Sequence, residues 1–182
     1  MKRLGLVPPL LALAGLLAGG CLVTSAQVLA HFGLPDPLTV AGPAAVVGVD
    51  VDLSTVPEYE DHKDELKDLV DLALLGRFRN VGPATALEVW MTPGFTSHTQ
   101  ASQVTGDPSA VRVWGPFALP AGPSTTAISW TQAAALFGAG KGALVGQIKG
   151  DGQFTLYVLG NTGAYDFVVD HGALAMVLDA GD

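Results

Sequence analysis

Four histidines, three tryptophans, a run of acids and a single cysteine are the residues of this 182-residue chain whose types could carry chemistry. His31, His62, His98 and His171 stand far apart, and none has a second histidine three or four positions away, the spacing that puts two imidazoles on one zinc ion. Asp170-His171 together with a distant serine is the raw material of a hydrolytic triad, but the chain has no Gly-x-Ser-x-Gly elbow. Ser129, beside Trp130, reads as a strand hydroxyl, and Asp170-His171-Gly172 reads as a turn. The run from Glu58 to Glu65 invites calcium, with Asp50 and Asp52 as further donors. Calcium needs 6–8 oxygens in an ordered loop; this run has no central glycine and interleaves Lys63, so it reads as the solvated face of a helix. Gly138-Ala139-Gly140-Lys141-Gly142 lacks the Gly-x-x-x-x-Gly-Lys-Ser/Thr spacing of a phosphate loop and reads as a flexible turn. Trp90, Trp114 and Trp130 could line a groove for a small ligand or glycan, or simply pack; Trp90 shares a strand face with Glu88 and Thr92 and is expected to be exposed. No metal, cofactor or catalytic residue is assigned, and the expectation is a protein that is not an enzyme.

Cys21 carries the most specific signal. As the only cysteine it can form no internal disulfide. It follows Lys2-Arg3, an apolar stretch from Leu4 to Ala18, and Gly19-Gly20, the layout of a secretory signal in which the basic start stays in the cytoplasm. The stretch is shorter than the about 20 apolar residues of a permanent span, and Pro8-Pro9 interrupt it. Leu17-Ala18-Gly19-Gly20-Cys21 resembles the lipobox of bacterial lipoproteins, with Ala18 where that family usually has leucine. The resemblance implies cleavage before Cys21, a diacylglyceryl group on the thiol, and a further acyl chain, such as palmitate, on the new amine. Leu22, where an inner-membrane retention signal would place aspartate, resembles sorting to the outer membrane. The alternative is an ordinary signal peptide cut after Ala26, with Cys21 an unmodified thiol.

Charge narrows the partners. There are 17 acids and nine bases, and removing residues 1–20 takes two of the bases, leaving a formal charge of −10. A phosphate backbone is bound by lysine and arginine releasing counterions, so nucleic acid is excluded as a partner. Attraction to anionic lipid is disfavoured for the same reason. Membrane attachment must come from hydrocarbon on Cys21, with a second envelope protein as the other candidate partner.

The elements that would position these residues are mainly strands. Residues 47–53 alternate Val47, Val49, Val51 and Leu53 with Gly48, Asp50 and Asp52, a half-buried strand. Ser54-Thr55 before Pro57 opens a short charged helix within residues 58–68, with Glu60 and Lys63 at pairing distance. Strands are expected over residues 70–79 and 85–92, joined by the Asn80-Val81-Gly82-Pro83 turn, then a long polar loop over 93–110 and a strand over 111–119 with Pro116 marking an edge or bulge. A strand over 125–130 and a helix over 131–137, capped by Thr131, follow. Residues 143–149 and 153–159 read as strands joined by a hairpin at Gly150-Asp151-Gly152, and 165–169 and 172–178 as two more. Residues 22–42, with Pro35, Pro37 and Pro43, read as a tether with a helical turn near 28–32.

The division expected is therefore a signal peptide over 1–20, a tether over 21–42 and a mainly β, antiparallel sandwich over 43–182 with one or two short helices. Residues 74–92, a strand closing on Asn80-Val81-Gly82-Pro83 and a second strand, resemble part of small immunoglobulin-like or late-embryogenesis-abundant-type sandwiches, and Asp52-Leu53-Ser54 before an acidic helix fits the same setting. That resemblance implies an immunoglobulin-like sandwich and no activity. The functional expectation is a membrane-anchored envelope lipoprotein, probed against two alternatives: a small-ligand or glycan-binding module, and an envelope hydrolase.

Overall fold

The structure is a computed structural model and describes residues 26–180. The expected signal peptide and Cys21 lie outside the described residues. Among the described residues nine strands form two antiparallel sheets. In the first, β1 (Ala26–Gly33) and β2 (Leu38–Gly42) lie one after the other along β9 (Tyr165–Ala180), which pairs on its other side with β4 (Leu66–Asn80), and β4 with β7 (Ser124–Ala127). The second sheet has the order β3 (Val47–Asp52), β8 (Gln153–Gly160), β5 (Thr85–Pro93), β6 (Val111–Leu119).

The alternation read from the sequence does the sorting. Val49 and Val51 of β3 and Leu87, Val89 and Met91 of β5 point between the sheets and are buried, as are Leu72, Leu74 and Phe78 of β4 and Phe167, Leu174 and Met176 of β9. They form one apolar core. Asp52 ends β3 because its carboxylate accepts from the Ser54 N–H (3.1 Å) and hydroxyl (2.6 Å), turning the chain into a 3-10 turn and then α1 (Pro57–Glu60), with Pro57 in its first turn.

The mainly β, antiparallel sandwich is present, with four short helices in place of one or two. Its path differs from the immunoglobulin arrangement, in which two sheets are ordered ABED and CFG. With β1 and β2 as two halves of one edge strand, the described residues make eight strands, and the chain crosses between the sheets at every step from β2 to β9 except the β5–β6 hairpin. That order, two interlocked Greek keys in four-stranded layers, is a jelly roll.

Other elements depart from expectation for identifiable reasons. Residues 26–42 are no tether: Ala30, Leu38 and Val40 are buried in the core, so the sandwich begins at β1 rather than at residue 43. Burial alternates along both strands, and Pro35 and Pro37 sit in the four residues between them. The loop over 93–110 contains α2 (Ala101–Gly106). Ser129, not Thr131, caps α3 (Trp130–Ala135), in a reciprocal box with Gln132. Residues 143–149 are helical, within α4 (Lys141–Lys149). Alternation fits that segment as a strand, but Leu144 and Ile148 are also four apart, and as a helix both bury completely against β4, β6 and β8. Gly150-Asp151-Gly152 consequently ends a helix instead of joining two strands: Gly150 and Gly152 both donate to the Gln147 carbonyl, at 3.1 and 3.0 Å, and Gly152 takes a φ of +70°. The two C-terminal strands are one, β9, interrupted by a bulge at His171 (φ 54°) and Gly172, opposite Gly76.

Candidate functional site

Cys21 lies five positions before Ala26, the first residue of β1. Ala26 and Leu66 both pair with Ala180, so the chain enters the sandwich at the end where β4 starts and β9 finishes. Five residues span at most about 18 Å. The same end holds α1 and the charged run, including Glu58, Glu60, Asp61, Asp64 and Glu65. Lys63 pairs with Glu60 at 2.6 Å, as its spacing suggested. Tyr59 is the buried member of the run: its hydroxyl donates to the Ile148 carbonyl at 2.7 Å, pinning α1 to α4, and burial raises its pKa. The run is thus a solvated face hung on one buried phenol.

The densest polar network covers the outer face of the smaller sheet. The β5–β6 connection folds back over β8, which explains why Thr92, Thr155 and Tyr157 are buried although they point away from the core. Thr96 Oγ1 bonds Thr92 Oγ1 at 2.5 Å and the Tyr157 hydroxyl at 2.8 Å, and that hydroxyl also accepts from the His98 N–H at 3.2 Å. Thr155 donates to Asp50 at 2.7 Å and accepts from the Thr96 N–H at 3.0 Å. His98 Nε2 meets Asp107 at 2.9 Å. Asp107 also accepts from the Ser109 hydroxyl and N–H, and these bonds, with that from His98, hold its carboxyl down at about 2.

A histidine oriented by a carboxylate is half of a general-base device, which then needs a nucleophile in reach of the free ring nitrogen. Here the adjacent phenol is fully buried and its oxygen is already engaged by Thr96 and the His98 backbone. The arrangement locks a loop onto a sheet. Tyr157→Phe removes the shared oxygen and leaves the His98 N–H without its partner, so a loss of roughly 1–3 kcal/mol is expected from urea unfolding. An unchanged midpoint would contradict the lock.

His171 pairs with Asp36 rather than with its neighbour Asp170. Its backbone N–H donates to Asp36 at 3.1 Å and its Nδ1 lies 2.6 Å from the other carboxylate oxygen. The backbone bond is the main reason the Asp36 carboxyl is held below its usual range. Asp170 instead faces Arg79 at 3.6 Å. The Asp36–His171 clasp spans the step where residues 34–37 pass from β1 to β2 around the β9 bulge, and the Leu34 N–H bonds Gly172 there at 2.8 Å. Ser129 is committed elsewhere, its hydroxyl 2.9 Å from Gln132 Oε1.

The tryptophans do not share a groove. Trp114 is buried, donates to the Ala133 carbonyl at 2.8 Å and packs against Phe78 and Phe117. Trp130 donates to Asp71 at 2.5 Å. Trp90 is half-buried and donates to Glu88 at 3.1 Å, and Glu88 also receives Arg112 at 2.8 Å. Two surface hollows stand out, one of about 450 Å³ lined by Thr85, Leu119, Pro120 and Asn161, the other of about 420 Å³ lined by Tyr59, Lys63, Lys149 and Asp151. Their linings include none of the histidines or tryptophans. Among the described residues no three acids, histidines or cysteines gather as a metal site, and no helix is long and apolar enough to cross a membrane. Asp36, Asp107 and Tyr157 were not singled out from the sequence, because their partners are 135, 9 and 59–61 positions away and follow no local spacing rule.

No protein-family model matches the chain, and no curated protein matches it. Among solved structures, a chain described as Desmodium yellow mottle tymovirus aligns with a TM-score of 0.32 at 11% identity, covering 100% of this chain and 96% of that one.

Proposed function

We propose that this chain is an envelope lipoprotein: cleaved before Cys21, acylated there, and presenting a jelly-roll sandwich that interacts with another envelope protein and catalyses nothing. The observation that carries the reading is Leu17-Ala18-Gly19-Gly20-Cys21, a lone cysteine after small residues at the end of a basic-then-apolar leader. The entry point of β1 is compatible with it, since the four residues between Cys21 and Ala26 leave room for a short link between lipid and sheet. The end that would face the lipid is rich in acids, so anionic headgroups repel it and the hold falls to hydrocarbon. Outer-membrane placement follows from Leu22 alone.

The interaction role is tested by cross-linking the full-length chain in native membranes and purifying it under denaturing conditions. A partner recovered reproducibly, and absent when the chain is absent, is expected. Recovery of nothing above background across independent preparations would sink the role, as would turnover of any substrate in an ester and peptide panel.

A further inference from the structure

The four edges of the two sheets are not treated alike. An exposed sheet edge offers unpaired N–H and C=O groups, and proteins blunt such edges with charge, proline, bulges or short strands. β3 carries Asp50 and Asp52; β6 carries Arg112 and Pro116 and two register shifts; β7 is four residues long and follows Pro123. On the remaining edge, β2 is short and preceded by Pro35 and Pro37, but β1 is eight residues long with no proline and no Asp, Glu, Lys or Arg.

The register shows which groups β1 leaves open. The Leu34 N–H bonds the Gly172 carbonyl, in step with the β1–β9 pairing. Hydrogen-bonded positions alternate in an antiparallel ladder, so the even residues of β1 bond β9 while Gln27, Leu29, His31 and Gly33 turn their backbone groups outward. All four are exposed, Leu29 by 61%. Among the described residues no backbone hydrogen bond from another element reaches them.

We propose that β1 accepts an extended segment of a partner protein as an added antiparallel strand, with an apolar side chain beside Leu29 and lysine or arginine toward its ends. This names the surface for the interaction role above and rests on it. Backbone pairing supplies the attachment and alternate side chains supply the selectivity. Charge chooses the occupant. Asp179 lies across from Gln27 at one end of the strand and Asp36 lies just beyond Gly33 at the other, with only His31 between them on β1. A basic side chain on the added strand stands two strand spacings, about 10 Å, from Asp179. A second copy would bring the same acids and, without residues 1–20, a second formal charge of −10.

The test uses the full chain extracted in neutral detergent and two synthetic peptides of alternating threonine and valine, one flanked by arginine pairs and the other by glutamate pairs. The arginine peptide is expected to bind at least tenfold more tightly and to slow amide exchange at residues 27, 29, 31 and 33. Leu29→Lys, at an exposed position, should weaken that binding at least tenfold with an unchanged melting temperature, while Val81→Lys leaves it unaltered. Equal binding of the two peptides, protection at other strands, or amides already protected before peptide is added, by a second copy or by residues 1–25, would overturn the proposal. A cross-linked membrane partner that survives Leu29→Lys would remove the edge as its site and leave the interaction role standing.

Discussion

Cys21→Ser, made behind an ordinary cleavable leader in place of residues 1–20, is expected to move the protein from the membrane pellet to the soluble fraction almost completely. Each buried methylene contributes about 0.8 kcal/mol, so one acyl chain holds a protein only marginally while two or three hold it firmly. The serine variant loses all of them together, because in the lipoproteins this leader resembles the acyl chains attach at this one cysteine, on its thiol and on its new amine. Nothing else in the described residues offers a substitute. No helix there can span a membrane, and the charged run beside the entry to β1 is dominated by acids. Two features of the serine variant separate anchoring from misfolding: the released body should keep the unfolding midpoint of the native chain, and a variant distant from the leader, such as Val81→Ala, should still sediment. Full retention of Cys21→Ser on membranes after a high-pH wash is the opposing result.

Asn80→Ala is expected to destabilise the sandwich by roughly 1–3 kcal/mol. Asn80 ends β4 and is completely buried. Its amide nitrogen donates to the Pro83 carbonyl at 2.8 Å and the Pro120 carbonyl at 2.7 Å, while its oxygen accepts from the Gly82 N–H at 3.1 Å. One side chain therefore ties the β4–β5 turn to the β6–β7 turn. The fit is close: a Cβ on Gly122 would sit 2.4 Å from the Asn80 carbonyl oxygen, so only glycine lets the second turn approach. Alanine removes the Pro83 carbonyl's bond and leaves the Gly82 N–H with Asp166 alone, at 3.1 Å, and the Pro120 carbonyl with the Ser124 hydroxyl alone, at 3.1 Å. At roughly 1–3 kcal/mol for a polar group left unsatisfied, a loss in that range is expected. That is a sizeable part of the about 5–15 kcal/mol that holds a typical domain. Val81→Ala in the same turn, 47% exposed, should change stability by less than about 0.5 kcal/mol. Urea unfolding of the two variants checks both figures, and equal losses would refute the tie.

The sequence already held the strands whose two faces differ. Residues 47–52 alternate because one face meets the core, and β3, β5 and β6 fall within a residue or so of where the sequence placed them, although two register shifts interrupt the pairing of β5 with β6. It misled where one pattern fits two structures, as at Leu144 and Ile148, which are in phase for both a strand and a helix. It was silent where tertiary packing decides. β8 is buried on both faces because the β5–β6 connection folds over it, and nothing local to residues 94–110 announces that. The jelly-roll order was equally hidden, since strand positions do not say which sheet each strand joins. The polar pairs show the same limit: Glu60–Lys63 was legible at helical spacing, whereas Asp36–His171 joins the two ends of the chain across a bulge. Cys21 stands apart, because a leader of the kind proposed would be recognised before folding and so would be written in consecutive residues.

The most direct test of lipid anchoring is the intact mass and N-terminal peptide spectrum of the protein purified from its native membranes. The account predicts a first residue at Cys21, with residues 1–20 gone and the added mass of a diacylglyceryl thioether, with or without a further acyl chain on the amine. A mature chain beginning at Gln27, or one that retains Cys21 as a free thiol, would contradict it.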